Sequence, residues 1–268
     1  MSQNQESLKF DIIIIGAGPA GLATAIRLAQ LAKQQQKEYS ICIIEKGDAV
    51  GSHILAGAVL ETRSLDELIP NWRELGAPII TQATKDQFLF LTQHHSFKLP
   101  TPPHMRNNGN YIISLSQLCR WLADEAEKLG IQIYPGFAAT EILYDAKQHV
   151  IGVVTGAKGI SKNGTHKTNF QPEMNLLATY TVLAEGSRGS LTKKVIAKYQ
   201  LSNNSDPQTY ALGIKEIWEI PATQHKSGLV IHTVGWPLDA HTYGGGFVYH
   251  LDPNLVAVGF AVGLDYQN

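Results

Sequence analysis

The sequence predicts an α/β protein: a parallel, doubly wound sheet covered by helices, with a second, mostly antiparallel β-sheet domain inserted into it. Three observations predict it. Ile12-Ile13-Ile14-Ile15 is continuously apolar, as a strand buried on both faces of a parallel sheet must be. It enters Gly16-Ala17-Gly18-Pro19-Ala20-Gly21 and an amphipathic helix, after which a second apolar strand ends in Glu45. From 210 to 260 the pattern becomes strand after strand.

The glycine loop carries most of the chemistry. Gly16 allows a tight turn, Gly18 lets backbone approach a pyrophosphate, and Gly21 lets the helix pack against the strand. The helix N-terminus offers N–H groups and partial positive charge to phosphates. A bare GxGxxG is weak, but the strand, the helix and the acidic residue supply the context of a Rossmann-like dinucleotide site. Its candidate residues are Gly16, Ala17, Gly18, Pro19, Ala20 and Gly21 at the diphosphate, with Glu45 and Lys46 at the adenosine end. Glu45 is suited to the ribose hydroxyls and would repel a 2′-phosphate, which argues against NADP. Its other reading is a solvated strand-end charge.

At 268 residues the chain has ample core for one large domain or two smaller ones. Its 22 Lys and Arg nearly balance 23 Asp and Glu, so no global field attracts nucleic acid or an acidic membrane. Two cysteines, Cys42 and Cys119, are too few for a disulfide framework, a structural zinc site or a cysteine-ligated iron–sulfur cluster. Both fall at packing positions. No stretch reaches the roughly 18 apolar residues of a membrane span. The polar start, 1–9, lacks the features of a secretory signal, so a reducing, cytoplasmic-side location is expected.

In chain order, the first helix is expected over 19–36, with Leu22, Ala25, Ile26, Ala29 and Ala32 inward and Pro19 where a missing N–H is tolerated. Residues 40–45 form the second parallel strand. The chain then enters the irregular, small-residue run Gly51-Ser52-His53-Ile54-Leu55-Ala56-Gly57-Ala58 instead of a third prompt βα unit. Such a run lying along a flavin favours FAD. Ser52 and His53 either tune that flavin or cap backbone. Leu65, Leu68, Ile69 and Trp72 form a helical stripe that either packs into a core or dips into a bilayer surface. Residues 88–91 and 97–99 read as paired strands; His94 and His95 sit in their turn with no further ligand at metal spacing.

A helix over 114–129 follows, with Leu115, Leu118, Cys119, Leu122 and Ala126 inward and Gly130 as its stop. Strands are expected near 131–134, 139–144 and 150–155, and the polar run 156–175 reads as an exposed hairpin or loop. The strand 176–184 runs into Glu185-Gly186-Ser187-Arg188-Gly189 and a helix from about Ser190. This second strand–Gly–helix junction either brings backbone N–H groups to an anionic part of the same cofactor or is a simple turn. Strands over 210–220, 228–234, 243–251 and 255–260 complete the pattern. The expected division is 1–80 and 111–200 for the cofactor domain, 81–110 and 201–268 for the substrate sheet.

The opening motif and Glu45, together with residues 50–58, Asn110-Tyr111-Ile112-Ile113, Gly213-Ile214-Lys215-Glu216-Ile217-Trp218-Glu219, His232-Thr233-Val234-Gly235-Trp236-Pro237-Leu238-Asp239 and Thr242-Tyr243-Gly244-Gly245-Gly246-Phe247, closely resemble electron transfer flavoprotein–ubiquinone oxidoreductase. The resemblance covers essentially everything after Lys9 and about the first half of that family's length. It implies a glutathione-reductase-type flavoprotein holding FAD and a four-iron four-sulfur cluster, taking electrons from reduced electron transfer flavoprotein to ubiquinone. It implies peripheral attachment to the cytoplasmic face of a bacterial inner membrane.

Carried onto this sequence, the resemblance places Gly51, Ser52 and His53 beside the flavin, Glu185 and Gly186 at a second flavin contact, and Gly244 and Gly245 at the quinone. Backbone N–H groups there would meet a carbonyl oxygen that gains negative charge on reduction; glycine within a strand equally marks a β-bulge. The cluster ligands and last FAD segment of the family have no counterpart, so the sequence reads as a truncated or partial reading frame. No acid/base or nucleophile constellation stands out, which fits electron transfer. The alternatives are an FAD-dependent prenyl-lipid reductase or aromatic hydroxylase of similar fold, or a non-catalytic fragment.

Overall fold

The computed structural model describes residues 7–55, 57–161 and 163–264; Ala56 of the expected flavin-side run and the ends of the expected domains lie outside them. The chain divides into two compact units, one within Met1–Ile54 and Cys119–Ser205, the other within Leu55–Leu118 and Asp206–Asn268.

The first unit is built on a six-stranded sheet. Its strands are β1 (Ser7–Ile15), β2 (Ile41–Glu45), β8 (Gln132–Pro135), β9 (Ala139–Tyr144), β10 (Val150–Thr155) and β13 (Asn175–Leu183), in the order β8-β2-β1-β13-β10-β9. The four strands from β8 to β13 are mutually parallel, and β10 and β9 add antiparallel. Ile13 and Ile14 have no exposed surface, which explains why residues 12–15 of β1 show no polar alternation. Between β1 and β2 runs α1 (Pro19–Gln34), burying Leu22, Ala25, Ile26 and Ala32. Before β8 comes α3 (Leu115–Lys128), with Leu118, Cys119, Leu122 and Ala126 buried and Gly130 ending it at φ +85°. After β13 comes α4 (Ser190–Tyr199), and the polar run after β10 forms the hairpin β11 (Lys158–Ile160) and β12 (His166–Gln171).

The second unit holds a six-stranded sheet of β5 (Lys85–Leu91), β6 (Ser96–Leu99), β14 (Ala211–Glu219), β15 (Leu229–Gly235), β16 (Gly244–Leu251) and β17 (Leu255–Gly263), ordered β14-β17-β16-β15-β5-β6. Every pair is antiparallel except β15 with β5. A small sheet, β3 (Ala58–Leu60), β7 (Tyr111–Ile113) and β4 (Thr81–Gln82), is ordered β3-β7-β4. Ala83 and Ile112 pack with Val230, Leu251 and Ala257 of the large sheet. This shared core groups residues 55–80 and 111–118 with the large sheet, so the unit boundaries differ from those drawn on sequence at 80 and 110.

The helix read over 65–72 is shorter: α2 spans Arg63–Leu68 and stops at Ile69, because the following Pro70 disfavours helical backbone there. Leu65, Ile69 and Trp72 are buried, so the stripe packs into the core. Asp66 accepts the Trp72 indole N–H at 2.7 Å and the Thr62 hydroxyl at 2.9 Å, tying the turn after α2 back onto it.

Candidate functional site

The parallel strands set the site. Chain leaves β1 for β2 on one side, while β13 lies on the other, so the carboxyl end of β1 is a topological switch point where open α/β sheets form their ligand crevice. Two strand–Gly–helix junctions meet there: Ile15 is in register with Leu183, and the Ala184 N–H donates to the Ile15 carbonyl at 2.9 Å.

At the β1–α1 junction the three glycines have different reasons to be glycine. Gly16 turns at φ +106°, and a Cβ there would lie 2.5 Å from the Ala184 carbonyl oxygen. At Gly21 a Cβ would come within 2.0 Å of the Gly16 carbonyl oxygen. Both serve the fold. Gly18 is otherwise: its φ −80° and ψ −179° suit any residue, and no protein atom lies within 4 Å of where a Cβ would stand. The protein itself gives no reason for a missing side chain there; close approach of a ligand would. Pro19 opens α1, and no acidic residue occupies its first turn, so the positive end of the helix is not neutralised.

Glu45 ends β2 beside this loop. Its two carboxylate oxygens accept the Ala17 N–H at 2.9 Å and the Gly47 N–H at 2.7 Å. The side chain therefore shapes the glycine loop as well as standing at the expected ribose end, and the remaining lone pairs of each oxygen can accept hydroxyls. Gly47 was not singled out from sequence; its place two residues after the strand-end acid was the available signal. Lys46 is exposed.

In the next run Gly51 is buried at φ +82°, while Ser52 and His53 are exposed. Ser52 Oγ donates to the Ala49 carbonyl and accepts the Ala49 N–H at 3.1 Å, closing a local turn. That is the backbone-capping alternative for Ser52. Arg120 Nε reaches the Val50 carbonyl at 3.3 Å.

The second junction is wired differently. Glu185 turns its carboxylate onto the start of α4, where Oε2 accepts the Thr192 N–H and hydroxyl, each at 2.7 Å, and Oε1 accepts the Leu191 N–H at 3.2 Å. Burial works to raise its pKa, but the Thr192 and Leu191 hydrogen bonds outweigh it and hold the carboxyl below the ordinary glutamate value. The amides of α4 that the sequence reading offered to a cofactor anion are thus already bonded to the protein's own carboxylate. Gly186, at φ +80° with no atom within 4 Å of a Cβ, keeps the turn itself open.

In the second unit, Gly244 and Gly245 begin β16 in unbroken register with Val262 and Ala261 of β17, with no bulge. A Cβ on Gly244 would lie 2.3 Å from the Ala261 carbonyl oxygen, and one on Gly245 2.2 Å from the Thr233 carbonyl oxygen. Close backbone packing therefore accounts for both glycines. A shallow groove of about 450 Å³ lies along this sheet, lined by Leu91, Ile214, Lys215, Thr233, Phe247 and Val258 among others.

Cys42 and Cys119 are buried free thiols, pushed up to about 12 by burial and to about 11 by burial and the nearby Glu45. With two cysteines in the whole sequence, the residues present do not fit a four-iron cluster. Among the described residues no group of three His, Cys, Asp or Glu could hold a metal, and no helix is long and apolar enough to cross a membrane.

A parallel switch-point crevice with a glycine loop, an open helix N-terminus and a strand-end carboxylate is the arrangement of a dinucleotide-binding fold. The chain belongs to the pyridine nucleotide-disulphide oxidoreductase family, whose sequence model matches residues 10–198. Residues 210–268 match the ubiquinone-binding model of electron transfer flavoprotein–ubiquinone oxidoreductase. The resemblance read from the motifs holds over the whole chain. It is 52% identical over 270 residues to the mitochondrial electron transfer flavoprotein–ubiquinone oxidoreductase of Oryza sativa subsp. japonica, covering 100% of this chain and 47% of that protein. To the Pseudomonas aeruginosa protein of the same name it is 51% identical, covering 98% of this chain and 49% of the relative. The chain thus spans about half the length of the curated relatives it matches, their N-terminal part.

Among solved structures, a geranylgeranyl bacteriochlorophyll reductase-like protein from Thermoplasma acidophilum superposes with TM-score 0.64 at 14% identity, over 95% of this chain and 57% of that one. The flavin-dependent monooxygenase PieE, solved with FAD and substrate, gives 0.63 at 15% identity, over 97% of this chain and 44% of that one. These share the fold. Family and fold together support FAD as the dinucleotide.

Proposed function

We propose that this chain is the FAD-binding and quinone-facing part of an oxidoreductase that passes electrons from reduced electron transfer flavoprotein to ubiquinone. The observation that carries the cofactor half is Gly18, a glycine whose backbone and surroundings would accept a side chain, beside an α1 N-terminus with no acidic residue in its first turn. That combination suits a diphosphate lying against the backbone. Gly16, Ala17, Pro19, Ala20 and Gly21 would complete the phosphate loop. Glu45 and Lys46 would face the adenosine, Gly51, Ser52 and His53 the flavin side, and Glu185 and Gly186 a second flavin contact through backbone. Bound FAD would supply two-electron and one-electron chemistry; the protein's part is to fix the nucleotide and exclude water.

For the acceptor, the likeness of 210–268 to a ubiquinone-binding sequence supports a quinone near Gly244 and Gly245; the groove on the same sheet begins one residue further on, at Gly246 and Phe247. The close packing of both glycines is compatible with their N–H groups meeting a quinone oxygen. Peripheral contact with the cytoplasmic face of a bacterial inner membrane belongs to the same reading. The four-iron four-sulfur cluster that the resemblance implies would need ligands from outside this chain, which has two cysteines.

The test is direct. The purified chain should absorb in the flavin region, release FAD on denaturation, and exchange electrons with electron transfer flavoprotein. A colourless chain that fails to take up added FAD would refute the cofactor assignment. Rapid bleaching by NADPH, with no response to reduced electron transfer flavoprotein, would favour the reductase or hydroxylase alternative suggested by the structural neighbours.

A further inference from the structure

The face of the large sheet that carries Gly245 changes character along its strands. Gly245, Phe247 and Tyr249 alternate along β16 on that face, with Val230 and His232 of β15 and Asp86 and Phe88 of β5 beside them by register. At one end Val230, Leu251 and Ala257 close into the core with Ala83 and Ile112. At the other, Phe90 is 41% exposed beside Val234. His232 and Tyr249 stand between the two ends, half-buried, with His232 Nε2 2.9 Å from the Tyr249 hydroxyl and the rings edge to face at 5.5 Å. His232 pairs with Phe247, so Gly245 is its diagonal neighbour, a placement that separates residues by about 7–8 Å.

Packing alone does not ask for this pair. The Tyr249 ring already stacks on Phe247 at 4.7 Å, and two apolar side chains would fill the same space with no polar atom to satisfy. The second ring nitrogen, Nδ1, has no hydrogen-bond partner among the described residues and is not closed off from solvent. Burial lowers the pKa of His232, and Asp86 works against that by favouring the protonated ring. The Asp86 carboxylate is held in place by the Asn107 N–H at 2.9 Å and its side-chain amide at 2.7 Å. Burial pushes the Tyr249 phenol up to about 12, so it stays neutral. The other charged groups of this face, Lys215, which donates to the Gly57 carbonyl, and Glu219, lie on β14 beyond β17.

We propose that His232 is the catalytic acid for a quinone bound near Gly245, giving it a proton from Nδ1 while the Tyr249 hydroxyl accepts the Nε2–H and fixes the ring. The inference rests on the quinone reading and deepens it. Reduction of a quinone to a quinol adds two electrons, supplied by the reduced flavin of that reading, and two protons, drawn from solvent. At one quinone oxygen the imidazolium N–H bond breaks as the O–H bond forms. The neutral ring then takes another proton from solvent at Nδ1.

The test uses the full chain loaded with FAD and the variants His232→Gln and Tyr249→Phe. The flavin is reduced anaerobically with dithionite, and its reoxidation by decylubiquinone is followed in a single turnover from mildly acid to mildly alkaline pH. The wild-type rate should fall as pH rises and the imidazolium is lost. His232→Gln should be about a hundredfold slower at acid pH and flat across the range. Tyr249→Phe should keep the profile but move its midpoint to lower pH, because the imidazolium loses the oxygen that accepts its Nε2–H. A His232→Gln profile that parallels wild type overturns the proposal. Histidine-selective NMR of the wild type supplies a readout that needs neither a variant nor a flavin: decylubiquinone should shift the His232 ring signals. No shift overturns the proposal whatever the flavin content, whereas a shift in a chain that takes up no FAD overturns the FAD assignment alone.

Discussion

The β1–α1 and β13–α4 junctions are neighbours at the carboxyl ends of the two central strands of one sheet and share a plan of strand, glycine turn and helix, yet they treat the helix N-terminus in opposite ways. At β1–α1 the nearby carboxylate, Glu45, bonds the loop at Ala17 and stays off the first turn of α1. At β13–α4 the carboxylate, Glu185, folds onto the first turn and takes the Leu191 and Thr192 amides. One helix start has no side-chain cap and no acid in its first turn, and the other is completed internally. The placement of one acid decides which, because unpaired amides bind whatever anion is nearest.

Four measurements would break or sharpen this contrast. The largest effect is expected from Gly21→Ala, whose Cβ meets a backbone oxygen at 2.0 Å that no rotamer can avoid. It should cost about 3 kcal/mol in urea unfolding or abolish soluble expression; wild-type stability in this variant would mean the β1–α1 packing is misread. Next, Glu185→Ala should destabilise by about 1–2 kcal/mol through loss of the α4 cap.

That second loss has a pH signature. Glu185 is held below its ordinary pKa, so its contribution is complete above the unfolded value and is lost as pH falls through the folded one. Wild-type and Glu185→Ala chains should therefore converge in stability as pH falls below the ordinary glutamate range. A constant gap across that range would assign the cap to packing.

Third, Gly18→Ala should change stability by less than about 0.5 kcal/mol while weakening FAD binding at least tenfold. Equal FAD affinity would remove the main support for a phosphate at that loop. The smallest effect is expected from thiol labelling. Cys42, inside β2 and pushed up to about 12 by burial, should stay unlabelled in the folded wild type and in Glu185→Ala, and become reactive in Gly21→Ala.

What could be read in the sequence follows the range of the forces involved. Residues 12–15 of β1 and strand β2 were legible because burial on both faces leaves no polar alternation, β13 because it runs into a glycine turn and a helix, and the β9–β10 pair because its residues sit between clear turn signals. The small sheet was not, since strands of two or three residues carry no period. The end of α2 was written in Pro70, which the apolar stripe through Trp72 masked. At the site, the glycine loop is local and was visible. The reach of Glu185 onto α4 depends on a side-chain rotation, and Lys215 meets Gly57 across 158 positions of chain. Neither leaves a pattern along the sequence.

The parallel pairing of β5 with β15, within an otherwise antiparallel sheet, has a consequence for how the molecule is made. On a ribosome, the β5–β6 hairpin emerges well before β15 and then waits, its edge unsatisfied, until Leu229–Gly235 has been synthesised. Sheets that depend on such distant partners assemble slowly and expose adhesive edges in the meantime. This pairing should therefore make the second unit's large sheet depend on chaperones during synthesis.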